Sequence, residues 1–168
     1  MSDHDITLRL ASEDDLPAIQ ALNDLAFGQE DEGLIVERLY ENDEALLALV
    51  AERDGAIVGH IQFFPIDTSG MLPAKFAGLG PMSVHPDLQG TGLGGELIGA
   101  GLKEVKALGF QKVFVLGHAE YYPRFGFSVD ETAGMAAPWG GPHFMAIELN
   151  PGSPPLAELH YPSAFFEG

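Results

Sequence analysis

The 168-residue chain contains no cysteine, only eight lysine and arginine residues, and no long apolar run. Without cysteine it can form no disulfide, no thiolate metal site and no cysteine nucleophile. The eight bases stand against 25 acids, which gives a formal net charge of −17. This balance disfavours nucleic acid as a partner, because phosphate binding needs a basic patch. No apolar run approaches the roughly 20 residues that cross a bilayer, so a membrane partner is also disfavoured.

The first five residues are acidic and lack the basic and apolar segments of a signal peptide. Together with the absence of cysteine, this predicts a cytoplasmic protein. An apolar fraction of 46% excludes a disordered chain. The length is that of one domain, so we expect a single domain over residues 1–168, with the tail 151–168 packing back on it.

Hydrophobic periodicity predicts a mixed sequence of strands and helices. Pro65 should end the second hairpin strand and start a loop over 67–73, and the segment 133–142 and the tail from 151 are expected to be irregular. The fold class is therefore α/β, a mostly antiparallel sheet with one parallel βαβ unit. The elements are strand 6–10, helices 13–27 and 32–40, hairpin strands 45–52 and 56–64, central strand 76–84, a helix ending near 108, strand 113–116, a short helix ended by Gly126, a strand beginning at Phe127, and strand 144–149.

A glycine-rich segment follows the predicted central strand. His85-Pro86-Asp87 interrupts the strand, and Gln89-Gly90-Thr91-Gly92-Leu93-Gly94 then opens a helix. The first amides of a helix have no partner within it, and the helix dipole is positive at that end. Glycines let an oxygen-rich ligand approach the backbone closely. The segment therefore predicts a site for a phosphate-bearing cofactor.

Two nucleotide motifs fit this segment poorly. A P-loop needs Lys followed by Ser or Thr after its last glycine, whereas Gly95-Glu96 follows here. Gly90, Gly92 and Gly95 match the dinucleotide fingerprint, but five residues separate the strand from the first glycine, and no acid for the ribose lies about 20 residues further on. An NAD(P)-binding oxidoreductase is therefore a distant alternative.

Two motifs together resemble the GNAT superfamily of N-acetyltransferases. Val84-x-Pro86-x-x-Gln89-Gly90-x-Gly92-x-Gly94 resembles its acyl-CoA-binding motif, (Q/R)-x-x-G-x-(G/A), and Tyr121-Tyr122-x-x-x-Gly126-Phe127 resembles its aromatic-Tyr-x-x-x-Gly-Phe motif. The element order matches over essentially the whole chain, and the tandem tyrosines look most like a bacterial branch of predicted N-acetyltransferases. The resemblance implies a GNAT-like domain whose βαβ unit splays to hold acyl-CoA. It also implies acetyl transfer from acetyl-CoA to a primary amine by direct attack in a ternary complex.

The resemblance also implies roles for individual residues. The tyrosine of the second motif, Tyr122, would protonate the leaving thiolate or hydrogen-bond its sulfur, because a phenol is protonated at neutral pH. Tyr121 is expected to pack. The central strand would pair with the pantetheine arm, and Gly80-Pro81 could mark a bulge in it or its separation from the neighbouring strand. The residues expected to bind the cofactor are Met82, Val84, Gln89, Gly90, Thr91, Gly92, Leu93, Gly94 and Tyr122.

The general base is the weakest part of the prediction, because residues 77–84 contain no titratable side chain. His118, at the end of the second parallel strand, is the first candidate, and Glu120 is the second. His60 is expected to be a core histidine. A non-catalytic acyl-CoA-binding regulatory domain is therefore the main alternative function.

The remaining expectations concern partners. The acceptor would be a small-molecule or peptide amine, and the concentration of acids in the first half of the chain favours a cationic one. A homodimer is compatible with these features. No spacing of His, Asp and Glu suggests a metal ion.

Overall fold

The chain, seen in a computed structural model that describes residues 5–69 and 74–166, follows the predicted order of elements closely. Residues 1–4, part of the acidic start, and residues 70–73, part of the predicted loop, lie outside the described residues. Strands β1 to β8 and helices α1 to α3 are, in chain order, β1 Thr7–Leu10, α1 Leu16–Phe27, α2 Asp31–Glu41, β2 Leu47–Arg53, β3 Ala56–Ser69, β4 Phe76–Val84, α3 Leu93–Ala107, β5 Lys112–Leu116, β6 Met135–Ala136, β7 Phe144–Glu148 and β8 Ala157–His160.

Local sequence signals set the helix boundaries. The Asp15 carboxylate accepts a hydrogen bond from the Ser12 amide (2.8 Å) and two from the Arg9 guanidinium, which fixes the chain just before α1. Gly28 ends α1 with φ 71°, and Gly109 follows α3 with φ 88°. Both conformations favour glycine, so the helices end where the sequence predicts.

The main sheet has the strand order β1-β2-β3-β4-β5-β7. All of its neighbours pair antiparallel except β4 and β5, which are parallel and are joined through α3. The other two strands extend the sheet at the far end of β3, where β8 pairs with β3 and β6 pairs with β8. This arrangement confirms the predicted α/β fold with one parallel βαβ unit.

Strands β4 and β5 separate part of the way along their length. Their pairing runs from Phe76 opposite Lys112 to Leu79 opposite Val115 and does not extend beyond that point. On its other side β4 shifts register against β3, so that Gly80 and Pro81 form a bulge. The second half of β4 therefore has only β3 as a sheet neighbour and leaves a gap towards β5.

Each face of the sheet carries its own core. The α3 face packs Ile61 and Phe63 against Leu97 of the helix. A Cβ on Gly101 would lie 2.4 Å from the Phe63 ring, so this glycine is needed for the close approach of α3. On the opposite face, which α1 and α2 cover, a second core contains many aromatic rings, among them Phe64, Phe76, Phe114 and Phe144.

A fully buried polar chain links α1 to the sheet. Asn23 Nδ2 donates to the Ile19 carbonyl (2.9 Å) and therefore also donates to His60 Nδ1 (3.2 Å). This leaves the proton of the imidazole on Nε2, which donates to Gln62 Oε1 (3.2 Å). Burial lowers the pKa of His60 to about 4, so the imidazole is neutral. His60 is thus a core histidine.

Three sequence-based boundaries were wrong. Pro65 does not end β3, because β2 has already ended opposite Phe63 and proline is tolerated where a strand has a neighbour on one side only. The tail is not wholly irregular, since β8 pairs with β3 and with the two-residue β6 of the predicted loop 133–142. Phe127 begins no strand, because Ser128 forms one isolated bridge to Ala146 before a turn at Asp130–Thr132 redirects the chain.

None of the helices within residues 5–69 and 74–166 is both long and apolar enough to span a membrane.

Candidate functional site

A cavity of about 1140 Å³ opens where β4 and β5 part. Residues from both faces of the sheet line it, so it has two distinct halves. The glycine half, on the α3 face, is formed by Met82, Gly90, Gly92, Gly94, Gly95, Tyr121, Arg124 and Phe125. The aromatic half, on the α1/α2 face, is formed by Phe27, Glu32, Ile35, Phe64, Ser83, Phe114, Trp139, Tyr161 and Phe165.

The glycine half presents bare backbone at the start of α3. Gly90 and Gly92 have φ values of 81° and 90°, which favour glycine. The amides of Leu93, Gly94 and Gly95 stand in the first turn of α3 and have no partner within the helix. A Cβ on Gly94 would lie 2.8 Å from the Tyr121 hydroxyl, so side chains already fill the space around this turn. The geometry suits an anion that binds to backbone amides.

Polar side chains hold the glycine turn in place. Gln89 Nε2 donates to the Val84 carbonyl at the end of β4 (3.1 Å), and Thr91 Oγ1 donates to the Leu88 carbonyl. Thr91 is therefore engaged in the turn and does not line the cavity. The side chain of Leu93 is buried in the core, which leaves its amide as the group that can reach a ligand.

The unpaired edge of β4 forms the boundary between the two halves. Met82, Ser83 and Val84 all line the cavity. In an antiparallel pair, alternate residues direct their backbone groups away from the partner strand, so β4 presents free backbone groups to the gap that β5 has left. The Ser83 side chain is buried, and its Oγ has no hydrogen-bond partner among the described residues.

Tyr122 stands where the gap between β4 and β5 meets the α3 face. It begins a short 3-10 turn, Tyr122–Phe125, that ends at Gly126 with φ 100°. A Cβ on Gly117 would lie 2.4 Å from the Tyr122 ring, so glycine at the end of β5 lets the ring lie flat there. Burial, with a smaller contribution from Tyr121, raises the pKa of Tyr122 to about 12. The phenol is therefore protonated at neutral pH and can donate a proton.

Tyr121 is part of the cavity wall, which the sequence did not indicate. Its hydroxyl lies beside Gly94, and its ring makes edge-to-face contact with Phe125 at 5.1 Å. Arg124 lies over the same ring, with its guanidinium carbon 5.8 Å from the centroid. The signal that could have identified Tyr121 is the pair of adjacent tyrosines, because two neighbouring phenols before a turn can both reach one cavity.

The two candidate bases differ in their position. His118 is exposed and lines the cavity just after β5, and its carbonyl accepts hydrogen bonds from the amides of Tyr121 and Tyr122. Glu120 is exposed and does not line the cavity. The structure thus brings together Met82, Val84, Gln89, Gly90, Gly92, Gly94, His118 and Tyr122, and it leaves the side chains of Thr91, Leu93 and Glu120 outside. In the described part of the chain, no group of three or more His, Asp or Glu side chains is arranged to hold a metal ion.

The aromatic half is built from distant parts of the chain. The centroid of the Phe64 ring in β3 lies 4.6 Å from that of Phe165 and 5.7 Å from that of Tyr161. The ring centroids of Trp139 and Tyr161 are 4.6 Å apart. The Glu44 carboxylate accepts hydrogen bonds from the Ser163 amide (3.0 Å) and hydroxyl. The sequence indicated that these tail aromatics pack on the domain, but not that they form a cavity wall.

Comparisons with known proteins point in one direction. A family model described as the acetyltransferase (GNAT) family matches residues 15–127. The uncharacterised N-acetyltransferase YjhQ of Escherichia coli (strain K12) is 38% identical over 130 residues, which are 76% of this chain and 72% of that protein.

Two solved structures are similar over nearly the whole chain. The GNAT family N-acetyltransferase YhbS from Escherichia coli, in complex with CoA, has a TM-score of 0.87 and 29% identity and covers 98% of this chain and 93% of its own. A GNAT family acetyltransferase from Brucella melitensis, in complex with acetyl-CoA, has a TM-score of 0.81 and 33% identity and covers 96% of this chain and 99% of its own.

Proposed function

The chain belongs to the acetyltransferase (GNAT) family, and from that premise we propose that it acetylates a primary amine by direct attack on acetyl-CoA in a ternary complex. The predicted family is confirmed, and with it the assignment as an acyltransferase that uses acetyl-CoA as co-substrate. The acceptor, the residues that act and the order of steps are part of the proposal. So are a single domain over residues 1–168 and a cytoplasmic location.

The observation that carries the proposal is the gap between β4 and β5, which opens a cavity between the amides at the start of α3 and the phenol of Tyr122. Coenzyme A bears a pyrophosphate, and the amides of Leu93, Gly94 and Gly95, which have no partner within the helix, suit such an anion without a lysine or arginine. This fits a chain with eight bases. The remaining length of the cofactor would run from that turn along β4.

The free edge of β4 suits the pantetheine arm. Its amide groups can pair with backbone groups of β4 as an added strand would, and Met82 and Val84 are the residues we assign to this contact. One of the free β4 amides would also polarise the thioester carbonyl when negative charge develops on its oxygen.

We assign the proton transfers to two side chains. The amine nitrogen attacks the thioester carbon, and the carbon–sulfur bond breaks as the thiolate leaves. Tyr122, whose pKa of about 12 keeps it protonated, donates the proton that this thiolate takes up. His118 accepts the proton that the ammonium group of the acceptor must lose before attack, directly or through a water molecule. The nitrogen loses a second proton as the amide forms, and this proton restores the Tyr122 phenol, directly or through a water molecule. Glu120 lies outside the cavity, so it drops to a minor candidate.

Two titrations and one turnover assay test the proposal. Acetyl-CoA and NADH are each titrated by calorimetry, and release of free thiol from acetyl-CoA is then followed with a panel of amines. Binding of acetyl-CoA but not NADH, with thiol release, is expected. Absence of acetyl-CoA binding would contradict the proposal. Binding without thiol release from any amine would instead support a regulatory acyl-CoA-binding domain.

The variant Tyr122→Phe tests the assigned acid. Loss of a general acid is expected to lower kcat by about 10²- to 10⁴-fold, while the Kd for acetyl-CoA changes little because the ring is kept. Tyr40→Phe is the matched control, since Tyr40 is a partly buried tyrosine that does not line the cavity. A Tyr122→Phe protein with the kcat of the control would remove Tyr122 as the acid.

A further inference from the structure

We infer that the acceptor is an arylalkylamine: a primary ammonium group on a short alkyl chain with a flat aromatic body and no carboxylate. The inference rests on the proposed acetyl transfer. It concerns the aromatic half of the cavity, because the glycine half suits the acyl donor and does not specify the acceptor.

The walls of the aromatic half are apolar and ring-rich. Five aromatic side chains and one isoleucine come from α1, α2, β3, β5 and the C-terminal segment, and Trp139 adds a sixth ring. Because aromatic faces attract both flat apolar groups and cations, this half suits an aromatic body that carries an ammonium group. The rings are those of Phe27, Phe64, Phe114, Trp139, Tyr161 and Phe165, and the isoleucine is Ile35.

The charges around the cavity disfavour a carboxylate on the acceptor. Among the described residues that line it, Arg124 is the only lysine or arginine, and it lies over the Tyr121 ring in the glycine half. The aromatic half therefore offers no cation to the carboxylate of an amino acid, which would be buried against aromatic rings without a partner. An amine without a carboxylate avoids this cost.

The same wall limits the number of positive charges on the acceptor. Glu32 is the only carboxylate among the described lining residues. One carboxylate can attract one ammonium group towards the cavity. A polyamine would bring further ammonium groups into a half that has no second acid for them. The geometry thus favours a monoamine.

Ser83 supplies a buried hydroxyl that is free to orient such an amine. It lies on β4, opposite His60 of β3, and its Oγ is buried without a partner among the described residues. A buried hydroxyl without a partner is costly, and an amine N–H at the boundary between the two halves would supply one. We assign Ser83 as a positioning residue for the acceptor nitrogen.

Trp139 provides a direct readout, because it is the only tryptophan in the chain. The protein is saturated with CoA, which cannot donate an acetyl group, and is titrated with 2-phenylethylamine while tryptophan fluorescence is recorded. A saturable change is expected. L-phenylalanine, which adds only the carboxylate, and spermidine, which adds charge without a ring, should each bind at least about tenfold more weakly.

Thiol release from acetyl-CoA then compares the same three amines by kcat/KM. We expect 2-phenylethylamine to exceed the other two by at least about tenfold. Phe165→Ala should raise the KM for 2-phenylethylamine by about tenfold and leave the Kd for acetyl-CoA unchanged. Leu156→Ala is the control, since Leu156 lies in the same C-terminal segment, is 73% exposed and does not line the cavity.

Ser83→Ala should raise the KM for 2-phenylethylamine. Ser83→Thr, which keeps the hydroxyl, should return this KM to its native value.

The outcomes separate this inference from the proposal on which it rests. Failure to bind acetyl-CoA would overturn the proposed function itself. Binding of acetyl-CoA together with equal or better use of L-phenylalanine or spermidine would overturn the arylalkylamine alone. So would a protein that binds acetyl-CoA but gives neither a fluorescence change nor thiol release with 2-phenylethylamine.

Discussion

The buried imidazole of His60 should make the protein lose stability as the pH falls. In the folded chain its pKa is lowered to about 4 by burial, against 6.5 for an ordinary histidine. Between these two pKa values the unfolded chain binds a proton that the folded chain does not. Stability therefore falls as the pH falls through this window. At about 1.4 kcal/mol per pKa unit, this group should remove about 2 kcal/mol of stability by pH 5 and about 3 kcal/mol by pH 4.

Urea unfolding of the native protein and of His60→Gln at pH 7, 6, 5 and 4.5 measures this contribution. Glutamine is polar and does not titrate, so the variant should be less stable at pH 7 by about 1–3 kcal/mol through poorer hydrogen bonding to Asn23 and Gln62. The stability difference between the two proteins should then shrink by about 2 kcal/mol at pH 5. Carboxylates that titrate in the same range affect both proteins alike and cancel in the difference.

Val50→Ala is the control for this experiment. Val50 lies opposite His60 in the β2–β3 pair and is fully buried, so its truncation should cost about 2 kcal/mol at every pH. If the difference between the native protein and His60→Gln were the same at pH 7 and pH 5, the imidazole would not be neutral in the fold, and the reasoning would fail.

Two further predictions concern stability. Gly99→Ala should stabilise the protein by up to about 1 kcal/mol, since a Cβ there meets nothing within 4 Å. Gly101→Ala, in the same helix, should destabilise it by about 1–3 kcal/mol, because the added Cβ would collide with the Phe63 ring. Thermal unfolding of both variants checks the sign of each effect. Glu44→Gln should weaken the hydrogen bonds with Ser163 and lower the free energy of unfolding by about 1 kcal/mol. Limited proteolysis should then cleave the C-terminal segment faster than in the native protein. Cleavage at the native rate would show that the carboxylate does not hold that segment.

The sequence predicted the parts of the fold that depend on local signals. The glycines at positions 28 and 109 end their helices as expected, and the turn at Asp54–Gly55 joins two antiparallel strands. The errors arose where contact with a distant part of the chain decides whether a segment forms a strand. Pro65 is acceptable in β3 only because β2 has ended beside it, and Ala157–His160 is a strand only because the far end of β3 offers an edge. Neither neighbour can be read from the local pattern.

The site divides in the same way. Gly90 and Gly92 could be identified from the sequence because their function depends on backbone conformation, and that is a local property. The role of the aromatic half could not, because Phe64, Trp139 and Phe165 are far apart in the chain and meet only through the pairing of β8 with β3. A ring in a sequence predicts burial, but whether it fills a core or lines a cavity depends on what stands opposite it.

The origin of the two cavity halves also bears on how such a protein could change its substrate. The glycine half comes from residues 82–125, inside the stretch that the family model matches, whereas Trp139, Tyr161 and Phe165 lie beyond its end at Phe127. Substitutions in the C-terminal segment can therefore reshape one wall of the cavity without touching the backbone turn at the start of α3. A lineage could acquire a new acceptor amine through mutations there while it retained the same acyl donor throughout.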